Sequence, residues 1–101
     1  MDINELLKQA QKMQEDLEKM SKELEVAEFE GSASNGLVKV TINGDNKVLE
    51  VKIDESVIDP NEKEMLEDLI VIAFNNAREM AENARNRKLS AAAGGLNIPR
   101  L

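Results

Sequence analysis

The last acidic residue of the chain is Glu82, and Arg85, Arg87, Lys88 and Arg100 follow it with no carboxylate side chain among them. Side chains of this type hold phosphate. A local cluster of positive charge suffices, because counterion release supplies the affinity. Residues 83–101 carry +4, while residues 1–82 hold 9 basic and 20 acidic side chains, or −11. The chain is an acidic body with a basic end. Its net charge of −7 argues against polyanion binding by the whole surface. A plainer reading stands beside this one: Lys and Arg in a last helical turn also favour the helix dipole.

Other chemistries find no support. There is no Cys and no His, which removes thiol nucleophiles, imidazole acid–base catalysis and the usual zinc sites. It also removes disulfides, which suits a cytoplasmic chain. Ser21, Ser32, Ser34, Ser56 and Ser90 have no His partner, and no motif activates a Lys or a carboxylate. Gly31 to Gly36 lacks the Lys-Ser/Thr that follows a phosphate loop. Asp45 and Asp54-Glu55 lack calcium-loop spacing and read as turn and cap residues. The expectation is a non-enzyme with no cofactor, no metal and no small-molecule substrate. No signal peptide is visible at the N-terminus. The longest apolar run, Leu69 to Phe74, is six residues, too short for a membrane span.

Two long helices must position the basic residues. Asp2 is a good N-cap with Glu5 at the capping-box position. Ile3, Leu6, Ala10, Met13, Leu17, Met20 and Leu24 then recur at alternating steps of three and four. Residues 3–25 would span roughly 35 Å. A second helix is predicted after Asp59-Pro60, with Leu66, Leu69/Ile70, Ala73, Ala77, Met80/Ala81 and Ala84 as its stripe. It runs to about Leu89, and residues 90–101 read as a flexible tail after a single domain at 1–89. Met13, Met20, Met65 and Met80 at helical spacing read as core.

Between the helices lies a β block. Val38, Val40 and Ile42 alternate with Lys39, Thr41 and Asn43; Leu49, Val51 and Ile53 alternate with Glu50, Lys52 and Asp54. Asn43-Gly44-Asp45-Asn46 is a hairpin signal, because Asn-Gly accepts the positive φ of a tight turn. Ala27 to Glu30 reads as a weaker strand and Gly31 to Gly36 as a loop. The fold class is therefore α+β: a long helix, a three-stranded antiparallel β block and a long helix. Leu69-Ile70-Val71-Ile72-Ala73-Phe74 is apolar all around the second helix and needs cover on every side. Three strands and one helix leave a side bare. A second copy of the chain is expected there, with Leu69, Ile70, Ile72 and Phe74 in the dimer interface.

Connectivity then suggests an arrangement. If the helices pack antiparallel, the start of the first and the end of the second meet at a tip far from the sheet. That tip would gather Lys8 and Lys12 with Arg85, Arg87 and Lys88.

Lys8-Gln9-Ala10-Gln11-Lys12-Met13-Gln14, Gly36-Leu37-Val38-Lys39-Val40-Thr41-Ile42-Asn43-Gly44, Val51-Lys52-Ile53-Asp54, and Lys63-Glu64-Met65-Leu66-Glu67-Asp68-Leu69 with Ala73-Phe74-Asn75 resemble the YbaB/EbfC family of bacterial nucleoid-associated proteins. The resemblance covers nearly the whole chain in the right order. It implies a homodimer with helical arms projecting from a shared β core. It also implies binding to double-stranded DNA with little sequence preference, altered DNA conformation, effects on gene expression, and a cytoplasmic location at the nucleoid. By position and charge, the candidate DNA-contacting residues are Lys8, Lys12, Arg78, Arg85, Arg87 and Lys88. The alternative from another class is a protein-interaction module, a dimeric helical clamp or adaptor that does not bind DNA directly.

Overall fold

The computed structural model describes residues 2–92. Helix α1 covers Ile3–Val26, and the Asp2 carboxylate caps it by accepting from the Asn4 amide at 3.3 Å. Three strands follow: β1 at Glu28–Ala33, β2 at Val38–Asn43 and β3 at Val48–Ile53. They form one antiparallel sheet in the order β1-β2-β3. Two short 3-10 turns, Glu55–Val57 and Pro60–Glu62, are capped by Asp54 and Asp59 and lead into helix α2 at Lys63–Ala92. The α+β class and the order of elements are as the sequence indicates. Helix α2 continues past Leu89 to Ala92, so residues 90–92 of the expected tail are helical. Its remainder, 93–101, lies outside the described residues.

The core forms where period-2 and period-3.6 patterns meet. Alternation along β2 turns Val38, Val40 and Ile42 to one face, where they are fully buried. Above them α2 presents Ala73, Ala77 and Ala81, also buried. Alanines one turn apart let the helix backbone sit close to the sheet. The approach is tightest at Gly31, where an added Cβ would overlap the Ala73 carbonyl and the Ala77 amide. This corrects the reading of Gly31 to Gly36 as a loop. Gly31, Ser32 and Ala33 belong to β1 and pair with Val40, Lys39 and Val38. Gly31 and Ala33 are small because a helix lies on their face of the strand, not because the chain turns there; Ser32 points to the exposed face.

The second hairpin also has a different cause from the one expected. The turn closes through the Asn46 amide on the Asn43 carbonyl, and the residue with positive φ is Asn46, at 64°. Gly44 is not in the left-handed region. It is buried under the end of α1: its amide donates to the Leu24 carbonyl at 2.9 Å, and a Cβ there would overlap that same carbonyl. The Asn-Gly pair marks the hairpin correctly, but the glycine serves the helix.

Two surfaces remain bare. Helix α2 lies over β1 and β2. Val51, opposite Val40 and on the same face, is 43% exposed, and Val40 is 1% exposed. Along α1 only Leu24 is buried and Met20 half-buried; Ile3, Leu6, Met13 and Leu17 are exposed. Met13, Met65 and Met80 are exposed too, against the expectation that they fill a core. The molecule measures 69 × 27 × 16 Å with a radius of gyration of 19.4 Å. A compact domain of this length would have about 13 Å.

Candidate nucleic-acid interface

The six candidate basic residues do not form one tip. Helix α2 first crosses the sheet, from Leu66 to Ala81, and only its last third reaches α1. It arrives near the C-terminal end of α1. Arg85 donates a guanidinium N–H to the Gly44 carbonyl, and Lys88 Nζ pairs with Glu23 Oε2 at 2.9 Å. Ala91 then lies across a shallow groove from Asp16, Lys19 and Met20. The first half of α1 projects beyond this junction. Lys8 stands 16 residues before Leu24, or about 24 Å along a straight helix.

The expected arrangement of helix ends is thus corrected. A tip at the start of α1 needs α2 to leave the sheet at its own start. The alanine stripe instead holds α2 on the sheet for more than half its length, so too little helix remains to reach the start of α1.

The candidates fall into three groups. Lys8 and Lys12 are exposed on the projecting arm. Arg85 and Lys88 are half-buried at the junction, each with a partner. Arg78 and Arg87 are exposed on α2; Arg78 follows Ala77 above the sheet, and Arg87 lies beside the junction.

Lys19 and Lys22 lie off the apolar stripe in the sequence but are not among the six candidates. At 3.6 residues per turn, Lys8, Lys12, Lys19 and Lys22 fall within roughly 40° of one line along α1. All four are exposed. That line lies opposite the stripe of Ile3, Leu6, Ala10, Met13, Leu17, Met20 and Leu24, and Glu15 interrupts it. The spacing was visible in the sequence once the apolar stripe had fixed the helix orientation. A row of lysines on a projecting helix can follow a phosphate backbone without entering a groove.

The junction also carries the clearest electrostatic effect. The hydrogen bond and charge of Lys88 hold the Glu23 carboxyl below its ordinary value, with a smaller contribution from Lys19 in the same direction. Asp54 is likewise lowered, by its hydrogen bonds from Ser56. Among the described residues no group of carboxylates is arranged to hold a metal ion, and no helix is long and apolar enough to cross a membrane.

Comparison with known proteins agrees with this architecture. A nucleoid-associated protein of Clostridium novyi (strain NT) is 44% identical over 99 residues, spanning 98% of this chain and 87% of the relative. One from Rickettsia canadensis (strain McKiel) is 42% identical over 98 residues, spanning 97% and 92%. The crystal structure of an uncharacterized protein from Helicobacter pylori has the same fold, with a TM-score of 0.71 at 23% identity over 90% of this chain and 94% of that one. The family model that matches residues 1–96 is that of the YbaB/EbfC DNA-binding family, and the chain belongs to that family.

Proposed function

We propose that this chain is a nucleoid-associated protein that binds double-stranded DNA with little sequence preference and alters its path, with roles in nucleoid organisation and gene regulation in the cytoplasm. Membership of a DNA-binding family across residues 1–96 is the observation that carries this reading. The geometry supports a particular form of it. Lys8, Lys12, Lys19 and Lys22 on the arm make the main phosphate contacts, with Arg78 and Arg87 as secondary contacts. Arg85 and Lys88 hold the base of the arm. An acidic body repels the duplex, so contact is confined to the arms.

The working unit is a homodimer. Val71 and Ile72 are 56% and 48% exposed, Leu69, Ile70 and Phe74 are half-buried, and Val51 is uncovered on β3. A second copy laid on this face would bury all of them and set two arms on one shared sheet core.

The test is DNA binding followed across salt concentrations. Log affinity should fall linearly with log salt, by about 0.9 per phosphate contact. With about six of these side chains on phosphate at once, the loss between 50 and 200 mM is on the order of 10³-fold. No gel shift at micromolar dimer in low salt would end this reading. The protein-clamp alternative rests on one observation, the uncovered stripe of Ile3, Leu6, Met13 and Leu17. A dimer that ignores DNA at low salt and keeps its stability when this stripe is made polar would favour the clamp.

A further inference from the structure

The chain contains two Asn-Gly pairs, Asn35-Gly36 and Asn43-Gly44. This pair is chemically special. The backbone nitrogen of the glycine can attack the side-chain carbonyl carbon of the asparagine, because no Cβ shields it. A carbon–nitrogen bond forms, the side-chain amide leaves as ammonia, and a five-membered succinimide results. Water then opens the ring at either carbonyl. One product is aspartate. The other is isoaspartate, in which the main chain runs through the former side chain. The reaction needs no enzyme and no oxidant, only an amide nitrogen able to reach the side chain.

The two pairs stand in opposite circumstances. At Asn43-Gly44 the nucleophile is engaged, since the Gly44 amide donates to the Leu24 carbonyl at 2.9 Å. The electrophile is held as well: Asn43 Oδ1 accepts from the Asp45 and Lys47 amides at 2.9 and 3.0 Å. Gly44 is buried beneath α1 with no space even for a methyl group. Ring closure there requires α1 to lift from the turn.

At Asn35-Gly36 none of these restraints is present. Asn35 is exposed, at φ 56°, and Gly36 follows at φ 87°. Among the described residues, neither the Asn35 side chain nor the Gly36 amide has a hydrogen-bond partner; the loop closes through the Leu37 amide on the Ser34 carbonyl at 3.2 Å. Asn35 and Gly36 are the two central residues of this turn, both at positive φ, a conformation that Asn-Gly adopts readily. Ring closure therefore requires the turn to open, and among the described residues the one hydrogen bond that closes it is the Leu37 amide on the Ser34 carbonyl. A Cβ built on Gly36 meets only the stem of Lys39, at 3.5 Å.

We propose that Asn35 is a site of spontaneous deamidation in the folded protein, and that Asn43 is protected because α1 docks on Gly44. Conversion takes the net charge from −7 to −8. The new carboxylate appears at the end of the sheet opposite the Gly44 turn and the arm, beside Lys39. Arm-mediated binding is left unchanged, so the proposal stands apart from the DNA reading.

Trypsin separates the two sites, since residues 23–39 and 40–47 each end in Lys and contain one Asn-Gly pair apiece. Full-length protein is aged in mildly alkaline buffer, folded or in urea, and the two peptides are followed by mass spectrometry. In the folded sample, peptide 23–39 should gain the amide-to-acid mass difference and split into aspartate and isoaspartate forms while 40–47 stays intact. In urea both peptides should convert. Asn35→Gln, which keeps the amide but lengthens the chain out of five-membered ring closure, should leave 23–39 unchanged. Equal conversion of both peptides in the folded protein, no conversion of 23–39 in the folded protein, or conversion of 23–39 in the Gln variant would each overturn the proposal.

Discussion

Arg85 donates a guanidinium N–H to the carbonyl oxygen of Gly44, 41 positions earlier in the chain. Gly44 in turn donates its amide to the Leu24 carbonyl. One buried glycine therefore joins the end of α1, the β2–β3 turn and the last third of α2. Lys88, nearly one turn beyond Arg85, adds its ion pair to Glu23. A projecting helix is stiff only if its base is held, and these contacts hold it. Arg85 is thereby assigned to positioning the arm, whatever the arm touches.

That assignment separates Arg85 from the arm lysines experimentally. Arg85→Gln removes a charge-assisted hydrogen bond to a backbone carbonyl and should cost about 1.5–3 kcal/mol in urea unfolding. The slope of log DNA affinity against log salt should stay as in the parent, because no phosphate contact is lost. Lys8→Gln with Lys12→Gln should do the reverse. Stability stays within about 0.5 kcal/mol, and the slope becomes shallower by about 0.9 for each contact removed. A shallower slope in the Arg85 variant would return that residue to the DNA surface.

Two glycines should be intolerant of alanine for packing reasons. Gly31→Ala drives a methyl group into the α2 backbone between Ala73 and Ala77. Backbone cannot rotate aside as a side chain can, so the cost should reach roughly 3 kcal/mol, the upper part of the range for overpacking. Gly44→Ala should instead lift α1 from the turn. Hydrogen exchange would then show loss of protection at position 44 and along α1, with β1 and β2 still protected. Equal protection in parent and variant would mean that the turn can shift to admit the methyl group.

These glycines also show how far the sequence can be read. Strands β2 and β3, the hairpin between them and both helices follow from local patterns, and the structure has them where the patterns lie. The second half of the first strand is not legible, because Gly31, Ser32 and Ala33 look like loop residues until the helix above the strand is known. The position of the basic residues failed for a related reason. Where α2 parts from the sheet depends on three alanines packing at close range, and nothing in their local sequence says how long that contact lasts. The lysine row on α1 is legible in the sequence, because Lys8, Lys12, Lys19 and Lys22 fall opposite the apolar stripe, but only the structure shows that this part of α1 projects from the body.

The Glu23–Lys88 pair gives a pH dependence whose sign is fixed. The folded protein lowers the Glu23 pKa, chiefly through the hydrogen bond from Lys88. A lowered carboxyl contributes stability above its unfolded value and loses it as pH falls through the folded one. The contribution should therefore be present at neutral pH and vanish in the acid range below the ordinary value of 4.5. Glu23→Gln should lower the melting temperature slightly at pH 7, and the gap should close as the solution is acidified. A gap that widens in acid would contradict the assignment. The effect should be small, because the pair is solvent-exposed and screened.

Ile72 offers the sharpest test of the second copy. It is 48% exposed in the single chain, next to Ala73, which is fully buried on the sheet. Asp at this position meets water in a lone chain and should leave its fold intact. In a two-fold dimer the same substitution occurs on both sides of the interface. About half of each Ile72 is left to bury, so each lost Ile contributes roughly 0.7–1.5 kcal/mol, and the dimer should weaken by about 1.5–3 kcal/mol, roughly 10- to 100-fold in Kd. Forcing a carboxylate into an apolar interface adds to that loss. Sedimentation velocity at micromolar concentration should show Ile72→Asp as a monomer and the parent as a dimer, with identical far-ultraviolet circular dichroism. Val51→Asp, on the uncovered face of β3, should give the same result by a separate element. A parent that sediments as a monomer, or both variants sedimenting as the parent dimer does, would remove the second copy from this face.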